Sequence, residues 1–196
     1  MRVRAQSGFT LLEALIVTAL LSVAIVKGTM VINSTTRSHS RESSAMMLED
    51  QARRVLDQIG YAIMGSSRES LFPDPLNPFF DTQINYRVSM GVEAGEVIWN
   101  APERIGLAEL LTRLTWSENP GEVEERRVVW TNLVSPFLEG EVPNGVDDNG
   151  NGLIDESGIS FSLEGDAVRI RLSLEKQFSD GSGVTETVET MVTCRN

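Results

Sequence analysis

A single glutamate, Glu13, interrupts a strongly apolar segment near the start of the chain. From Phe9 to Val26 it is the only charged residue. This stretch would form about 27 Å of helix, which is close to the hydrocarbon thickness of a bilayer. A carboxylate in lipid costs roughly 2.5–3.5 kcal/mol on insertion scales. The pattern therefore predicts a membrane helix in which Glu13 has a functional role and finds a partner.

The residues around Glu13 resemble the N-terminal segment of type IV prepilins and pseudopilins. The shared signature is a short basic leader ending in glycine, then Phe-Thr-Leu-Xaa-Glu at the start of a membrane helix. Here Arg2 and Arg4 give the leader its charge, and the motif reads Gly8-Phe9-Thr10-Leu11-Leu12-Glu13. In an ordinary secretory signal the small cleavage residue follows the apolar region. A plain signal-anchor helix would also leave Glu13 unexplained.

The resemblance implies a processing and assembly pathway. Prepilin peptidase would cleave between Gly8 and Phe9 and methylate the new Phe9 amine. The N-terminal helices of several subunits would then pack into a filament core, where Glu13 pairs with the Phe9 amine of a neighbour. Each charge would offset the desolvation cost of the other. The expected location is the bacterial inner membrane, single-pass, with the head in the periplasm, and the pilus or pseudopilus after assembly.

The rest of the chain predicts one globular head behind this helix. The expected divisions are a leader at 1–8, a transmembrane and filament-core helix at 9–32, an amphipathic continuation at 33–66, and a pilin-like head at 67–196. Helical spacing defines the apolar stripe of the continuation, at Leu48, Ala52, Val55, Ile59 and Ala62. The Ser- and Thr-rich stretch 33–44 contains weak helix formers, so we expect it to bend or melt locally.

Period-two alternation in the second half of the chain predicts strands. The expected strands are 84–90, 96–99, 126–133, 159–164, 168–175 and 184–194, while 110–116 fits a strand or a short helix. Alternation implies one buried and one wet sheet face, as in an antiparallel sheet packed against a helix. The predicted fold class is therefore α+β, with a long N-terminal hydrophobic helix packed on an antiparallel head.

The order of these segments also resembles minor subunits, namely J-type minor pseudopilins of type II secretion and W-type minor pilins. The resemblance rests on loose patterns within 84–196, such as Ile84-Asn85-Tyr86-Arg87-Val88 and the closing Val192-Thr193-Cys194. It implies assembly with other pilin or pseudopilin subunits. It does not distinguish type II secretion from a type IV pilus or a DNA-uptake machine.

A calcium-like loop lies within the head at 147–158. Oxygen-bearing side chains recur at alternate positions, and a glycine then permits a sharp turn, as in dockerin and thrombospondin type-3 loops. Calcium prefers six to eight hard oxygen ligands. The predicted ligands are Asp147, Asn149, Asn151, Asp155 and Glu156. The twelfth position is Gly158, where an EF-hand has a bidentate glutamate, so the alternative is an acidic turn without metal.

Composition argues against several other classes of function. The formal net charge is −11, which disfavours direct binding of nucleic acid. The chain has one histidine, His39, expected in solvent, and one cysteine, Cys194, expected to be buried. No nucleophile–base arrangement is evident, so we predict no enzyme and no catalytic residue. The alternative to a structural subunit is a pilin-anchored adhesin or cargo-binding module, with Phe72, Phe79 and Phe80 packed on the head or exposed to a partner.

Overall fold

The computed structural model describes residues 10–71, 81–108 and 112–194. A single helix, α1, runs from Leu11 to Met64 and is followed by a short 3₁₀ turn at Arg68–Ser70. The chain divides into two compact units, Met1–Ser43 and Ser44–Asn196. The boundary falls within α1, so its last twenty-one residues belong to the second unit.

In the first unit α1 is an apolar helix whose side chains are exposed from Leu11 to Ile32. Its hydroxyl groups donate back to carbonyl oxygens of the preceding turn: Thr18 to Ala14 at 3.0 Å and Ser22 to Thr18 at 2.8 Å. Such bonds satisfy hydroxyl groups without a partner outside the helix. Ser34 and Thr36 bond in the same way. The helix is continuous through 33–44, so the local melting expected there is not observed.

In the second unit α1 buries the predicted apolar stripe against the sheets. Four of the five stripe residues are fully buried, and Ala62 is partly buried against the same core. The buried residues of the helix are Ser44, Leu48, Ala52, Val55, Leu56, Ile59, Gly60 and Ile63. The polar residues opposite form i,i+4 ion pairs, Glu49 with Arg53 and Asp50 with Arg54. Met46 and Met47 precede the stripe and are apolar, but they are 70% and 47% exposed.

Nine strands lie within the described residues. They are β1 Gln83–Tyr86, β2 Ser89–Glu93, β3 Glu96–Trp99, β4 Glu103–Leu107, β5 Leu114–Glu118, β6 Arg126–Thr131, β7 Ile159–Glu164, β8 Ala167–Gln177 and β9 Gly183–Thr193. They form three antiparallel sheets with the orders β1-β4-β5-β6, β2-β3 and β7-β8-β9. A bridge between Asp81 and Phe161 joins the first sheet to the third. The α+β fold class is thus confirmed.

The final sheet follows the sequence pattern closely. β7 and β8 pair from Ile159↔Leu172 to Glu164↔Ala167, as the alternation predicts. β8 and β9 then pair over eleven positions without a register shift. The inner face of β8 carries four residues with no exposed surface: Val168, Ile170, Leu172 and Leu174. This face and α1 together supply half of the buried residues of the core cluster.

The first sheet departs from prediction in two places. The strand expected at 84–90 is two strands, because the chain leaves β4 after Tyr86 and Val88 bridges to Ser66 just beyond α1. β4 was not predicted. Its glutamate and glycine, Glu103 and Gly106, are not typical strand residues. The segment 72–80, with Phe72, Phe79 and Phe80, lies outside the described residues.

The long connection after β6 folds back onto β7 and β8. Val134 bridges Leu174, and the Ser135 N–H donates to Ser173 O at 2.9 Å. Gly158 lies at the closest approach, where a Cβ atom would overlap the carbonyl oxygen of Ser135. Only glycine fits here. This anchoring fixes both ends of the segment that contains the calcium-like loop.

Candidate functional site

Thr10 caps the start of α1 next to Glu13. The backbone N–H of Glu13 donates to Thr10 Oγ1 at 3.3 Å, and the Ala14 N–H donates to Thr10 O at 3.2 Å. The side-chain oxygen thus satisfies one of the free N–H groups of the first turn. The cap fixes the helix start at the predicted motif and places the Glu13 carboxylate in the first turn, where the helix dipole favours negative charge.

Glu13 makes no ion pair within residues 10–71, 81–108 and 112–194. Its carboxylate is exposed among exposed apolar side chains, including Leu12 and Ile16. The next basic residue along α1 is Lys27, about 21 Å further along the helix axis. Gly8 and Phe9 lie outside the described residues. The described part of this chain therefore leaves the carboxylate available to a group from elsewhere.

In the calcium-like loop, Asp147 binds the backbone of the turn that follows it. Its Oδ1 accepts N–H groups from Gly150 at 2.7 Å and Asn151 at 3.2 Å, and its Oδ2 accepts the Gly152 N–H at 2.8 Å. Asn149 Oδ1 accepts the Asn151 N–H at 3.0 Å. The alternating residues therefore organise a tight polar turn with their oxygens on its concave side.

Asp155 closes the loop from the other end. Its carboxylate accepts the N–H groups of Asn144 at 3.0 Å and Gly145 at 2.9 Å. Asp155 adopts a positive φ of 51°, which is uncommon for a residue with a side chain. The structure thus places both predicted aspartates where they hold loop backbone. Among the described residues, no three Asp, Glu, His or Cys side chains form a cluster that could hold a metal ion.

Glu156 is buried between the loop and the sheet, where it bonds to both. It has no exposed surface, and its Oε1 accepts from Arg171 at 3.0 Å and from the Ser160 hydroxyl at 3.0 Å. Its Oε2 accepts from the side-chain amide of Asn151. Arg171 is itself paired with Glu189 at 2.7 Å. Glu156 therefore ties the loop to β7 and β8, a role that the sequence alone did not suggest.

Glu141 is a second anchor that sequence reasoning missed. It is buried, and its two oxygens accept the N–H groups of Asn149 and Asp155, each at 3.1 Å. The two bonds span eight and fourteen residues along the chain. No periodicity or motif signals such a pairing. The only sequence feature that could have indicated this role is the position of the glutamate just before a glycine- and asparagine-rich loop.

A family model described as the prokaryotic N-terminal methylation motif matches residues 3–26. The match includes Arg4, Gly8 and the apolar segment that contains Glu13. This is a type IV prepilin-like N-terminus. Searches of the curated proteins and of the solved structures gave no match.

The prepilin-like N-terminus implies processing by prepilin peptidase and assembly with other pilin subunits. By length and composition α1 can cross a membrane, and the apolar part that would do so is not buried within the protein. It fits the membrane anchor of a type IV pilin-like protein. The family defined by this motif is structural and not catalytic.

Cys194 and His39 are the other titratable residues singled out from the sequence. Cys194 is buried at the end of the sheet, as predicted, and burial raises the pKa of its thiol, which disfavours the reactive thiolate. His39 is exposed on α1, also as expected. In the first sheet, burial raises the pKa of Tyr86, whose hydroxyl donates to Glu103 at 2.6 Å. That pair anchors β1 to β4.

Proposed function

We propose that this chain is a minor pilin or pseudopilin, incorporated through its N-terminal helix into, or at the tip of, a type IV pilus or a type II secretion pseudopilus. The observation that carries the proposal is the exposed, unpaired Glu13 at the capped start of an apolar helix. A lone carboxylate there is costly in lipid and becomes favourable once a positive group compensates it. The Phe9 amine of a neighbouring subunit is such a group.

The size of the head supports a minor role, because the second unit spans Ser44–Asn196 and is larger than a simple major subunit needs. The head would lie on the periplasmic side of the inner membrane, because the basic leader favours the cytoplasm. The adhesin or cargo-binding alternative depended on Phe79 and Phe80, which are outside the described residues.

Intact mass of the full chain tests the processing step directly. We expect protein from membranes of cells with prepilin peptidase to lack residues 1–8 and to carry one added methyl group on Phe9. Cells without the peptidase should yield the full-length mass. The same uncleaved mass in both strains would contradict the proposal and leave a signal-anchored head.

We also propose that the loop at 147–158 binds calcium weakly as a structural staple. Carboxylate and amide oxygens from Asp147, Asn149, Asn151 and Asp155 are the hard ligands that calcium prefers. One oxygen of each side chain accepts a single N–H group and so retains a further lone pair. Glu156 fits less well, because Arg171 and Ser160 occupy one of its oxygens and Asn151 the other. Calcium would offset repulsion among the loop carboxylates.

Thermal unfolding with calcium or chelator tests the staple. Calcium at about tenfold its Kd should stabilise the wild type by about 1.4 kcal/mol, or a Tm rise of roughly 3–6 °C. The double variant Asp147→Ala with Asp155→Ala should lose this calcium-dependent rise. The control, Glu93→Ala with Glu96→Ala, removes the same charge from the exposed β2–β3 hairpin and should keep it. An equal Tm of the wild type with calcium and with chelator would refute the calcium site.

A further inference from the structure

The last strand of the sheet, β9, has a long free edge. β9 pairs with β8 over its full length, and no backbone bond reaches its other edge from any residue that the structure describes. Unpaired edges readily accept another strand, and proteins usually protect them. β9 contains no proline, no lysine and no bulge. Its charged residues are Glu186 and Glu189, so acidic charge is the protection that this edge has.

The backbone groups that point outward can be assigned from the hydrogen-bond pattern. Cys194 N–H donates to Asp166 O, and Ser173 N–H donates to Gly158 O. In an antiparallel pair alternate residues bond to one neighbour, so the even-numbered residues of β9 bond to β8. The outward groups therefore belong to the odd-numbered residues, which after Gly183 are Thr185, Thr187, Glu189, Met191 and Thr193. A fourth strand added at this edge would meet a regular ladder of donors and acceptors.

Glu186 lies at this edge on the inner face of the sheet. It lies opposite Leu174 and is partly buried on the face that packs towards α1. The Glu186 carboxylate makes no ion pair or hydrogen bond among the described residues. Lys176, its diagonal neighbour, donates instead to Ser44 Oγ at 3.3 Å. A partly buried carboxylate without a partner disfavours an apolar strand beside it and favours one that supplies a basic residue.

We propose that the free edge of β9 receives an extended strand from a different pilin-like subunit, with a basic residue beside Glu186 and apolar residues at alternate positions. This rests on the proposed function as an assembled subunit. The added strand would bond to the five outward residues and extend the apolar inner face next to Val188 and Val192. Strand addition of this kind takes its affinity from main-chain bonds and its specificity from alternate side chains.

A second copy of this chain fits the edge poorly. β9 contains two glutamates, Glu186 and Glu189, and no lysine or arginine. The whole chain carries a net charge of −11. Pairing β9 with its own copy would bring acidic side chains together, and like charges on neighbouring strands are destabilising. Charge complementarity therefore selects a partner with a basic strand.

Two variants at Thr187 separate the effect of losing its outward N–H group from the effect of losing its side chain. Thr187→Pro removes that N–H but keeps the bonds between β9 and β8, because proline is tolerated on an edge strand. Thr187→Ala keeps the N–H. Both variants lose the hydroxyl contact with Ser173, so that loss cancels in the comparison. In producing cells, we expect Thr187→Pro to be cleaved normally but to enter filaments about tenfold less than Thr187→Ala.

If Thr187→Pro fails to fold, three further measurements still test the proposal. Glu186→Gln should lower incorporation severalfold, and amide exchange at Thr187, Glu189 and Met191 should slow in assembled protein relative to the purified full chain. A photo-crosslinking residue in place of Thr185 should react with another subunit that bears the methylation motif. Crosslinks to a second copy, or wild-type incorporation of Thr187→Pro, would overturn the proposal. Failure of leader cleavage in the wild type would instead contradict the proposed function.

Discussion

Glu13→Ala should leave the leader cleaved and the Phe9 amine methylated, while the subunit fails to enter the filament. The side chain lies in the exposed first turn of α1, where no residue described in this chain compensates it. Removing the carboxylate makes residence in lipid easier and deprives a neighbour's amine of its partner. Breaking a buried ion pair costs about 3–5 kcal/mol. Such a loss predicts at least a tenfold fall in the filament-to-membrane ratio.

The measurement is quantitative immunoblotting of sheared filaments against membranes, with intact mass to verify processing. Glu42→Ala is the matched control, because Glu42 is an exposed acid on the same helix but lies in the polar stretch beyond the apolar segment. It should be incorporated like the wild type. Glu13→Ala incorporated at the level of Glu42→Ala would exclude the proposed charge pairing.

Glu156→Ala should destabilise the head strongly. The side chain has no exposed surface, and its removal leaves the Arg171 guanidinium, which is 13% exposed, with only Glu189 as a partner. The Ser160 hydroxyl and the Asn151 amide also lose their acceptor. We expect a loss of about 3 kcal/mol and a Tm lower by roughly 6–12 °C.

Glu189→Ala removes the other carboxylate that pairs with Arg171 and is therefore the comparison for Glu156→Ala. Its side chain is 42% exposed, so solvent screens the pair and the expected loss is below about 1 kcal/mol. Thermal and denaturant unfolding of the two variants should therefore differ clearly. Similar losses for Glu156→Ala and Glu189→Ala would show that burial does not set the strength of this network. The double variant Glu156→Ala with Arg171→Met should recover part of the stability, because no unpaired charge remains.

Much of the fold follows from local patterns. The hairpin β7–β8 has the predicted strands because strict alternation fixes which side chains face the core. The stripe from Leu48 to Ile59 is buried because 3.6-residue spacing places those side chains on one face. The exposure of Met46 and Met47 shows the limit of this reasoning. Apolar character at the edge of a stripe does not decide whether the sheet reaches far enough to cover it.

The missed features depend on contacts between distant parts of the chain. β4 is a strand because β1 and β5 flank it, although Glu103 and Gly106 weaken its own propensity. Glu103 is accommodated there because the Tyr86 hydroxyl and the Trp116 indole N–H donate to it. Likewise, Glu141 and Glu156 gain their structural roles from backbone and side-chain groups that only the folded loop brings near. The local motif predicted an acidic turn but not the residues that hold it.

The hydrogen bonds that side-chain hydroxyl groups make within α1 affect the transfer of the helix from a bilayer to a filament core. Thr18, Ser22 and Thr29 each donate to a carbonyl of their own helix, so they need neither water nor a neighbour for that hydrogen bond. Moving from a bilayer into a filament core would then exchange one apolar environment for another without breaking these bonds. In the proposed pathway Glu13 is the one side chain between Phe9 and Val26 whose electrostatic energy changes greatly on transfer. The pairing of this one carboxylate in the filament would therefore be the electrostatic contribution that favours moving the helix out of the membrane.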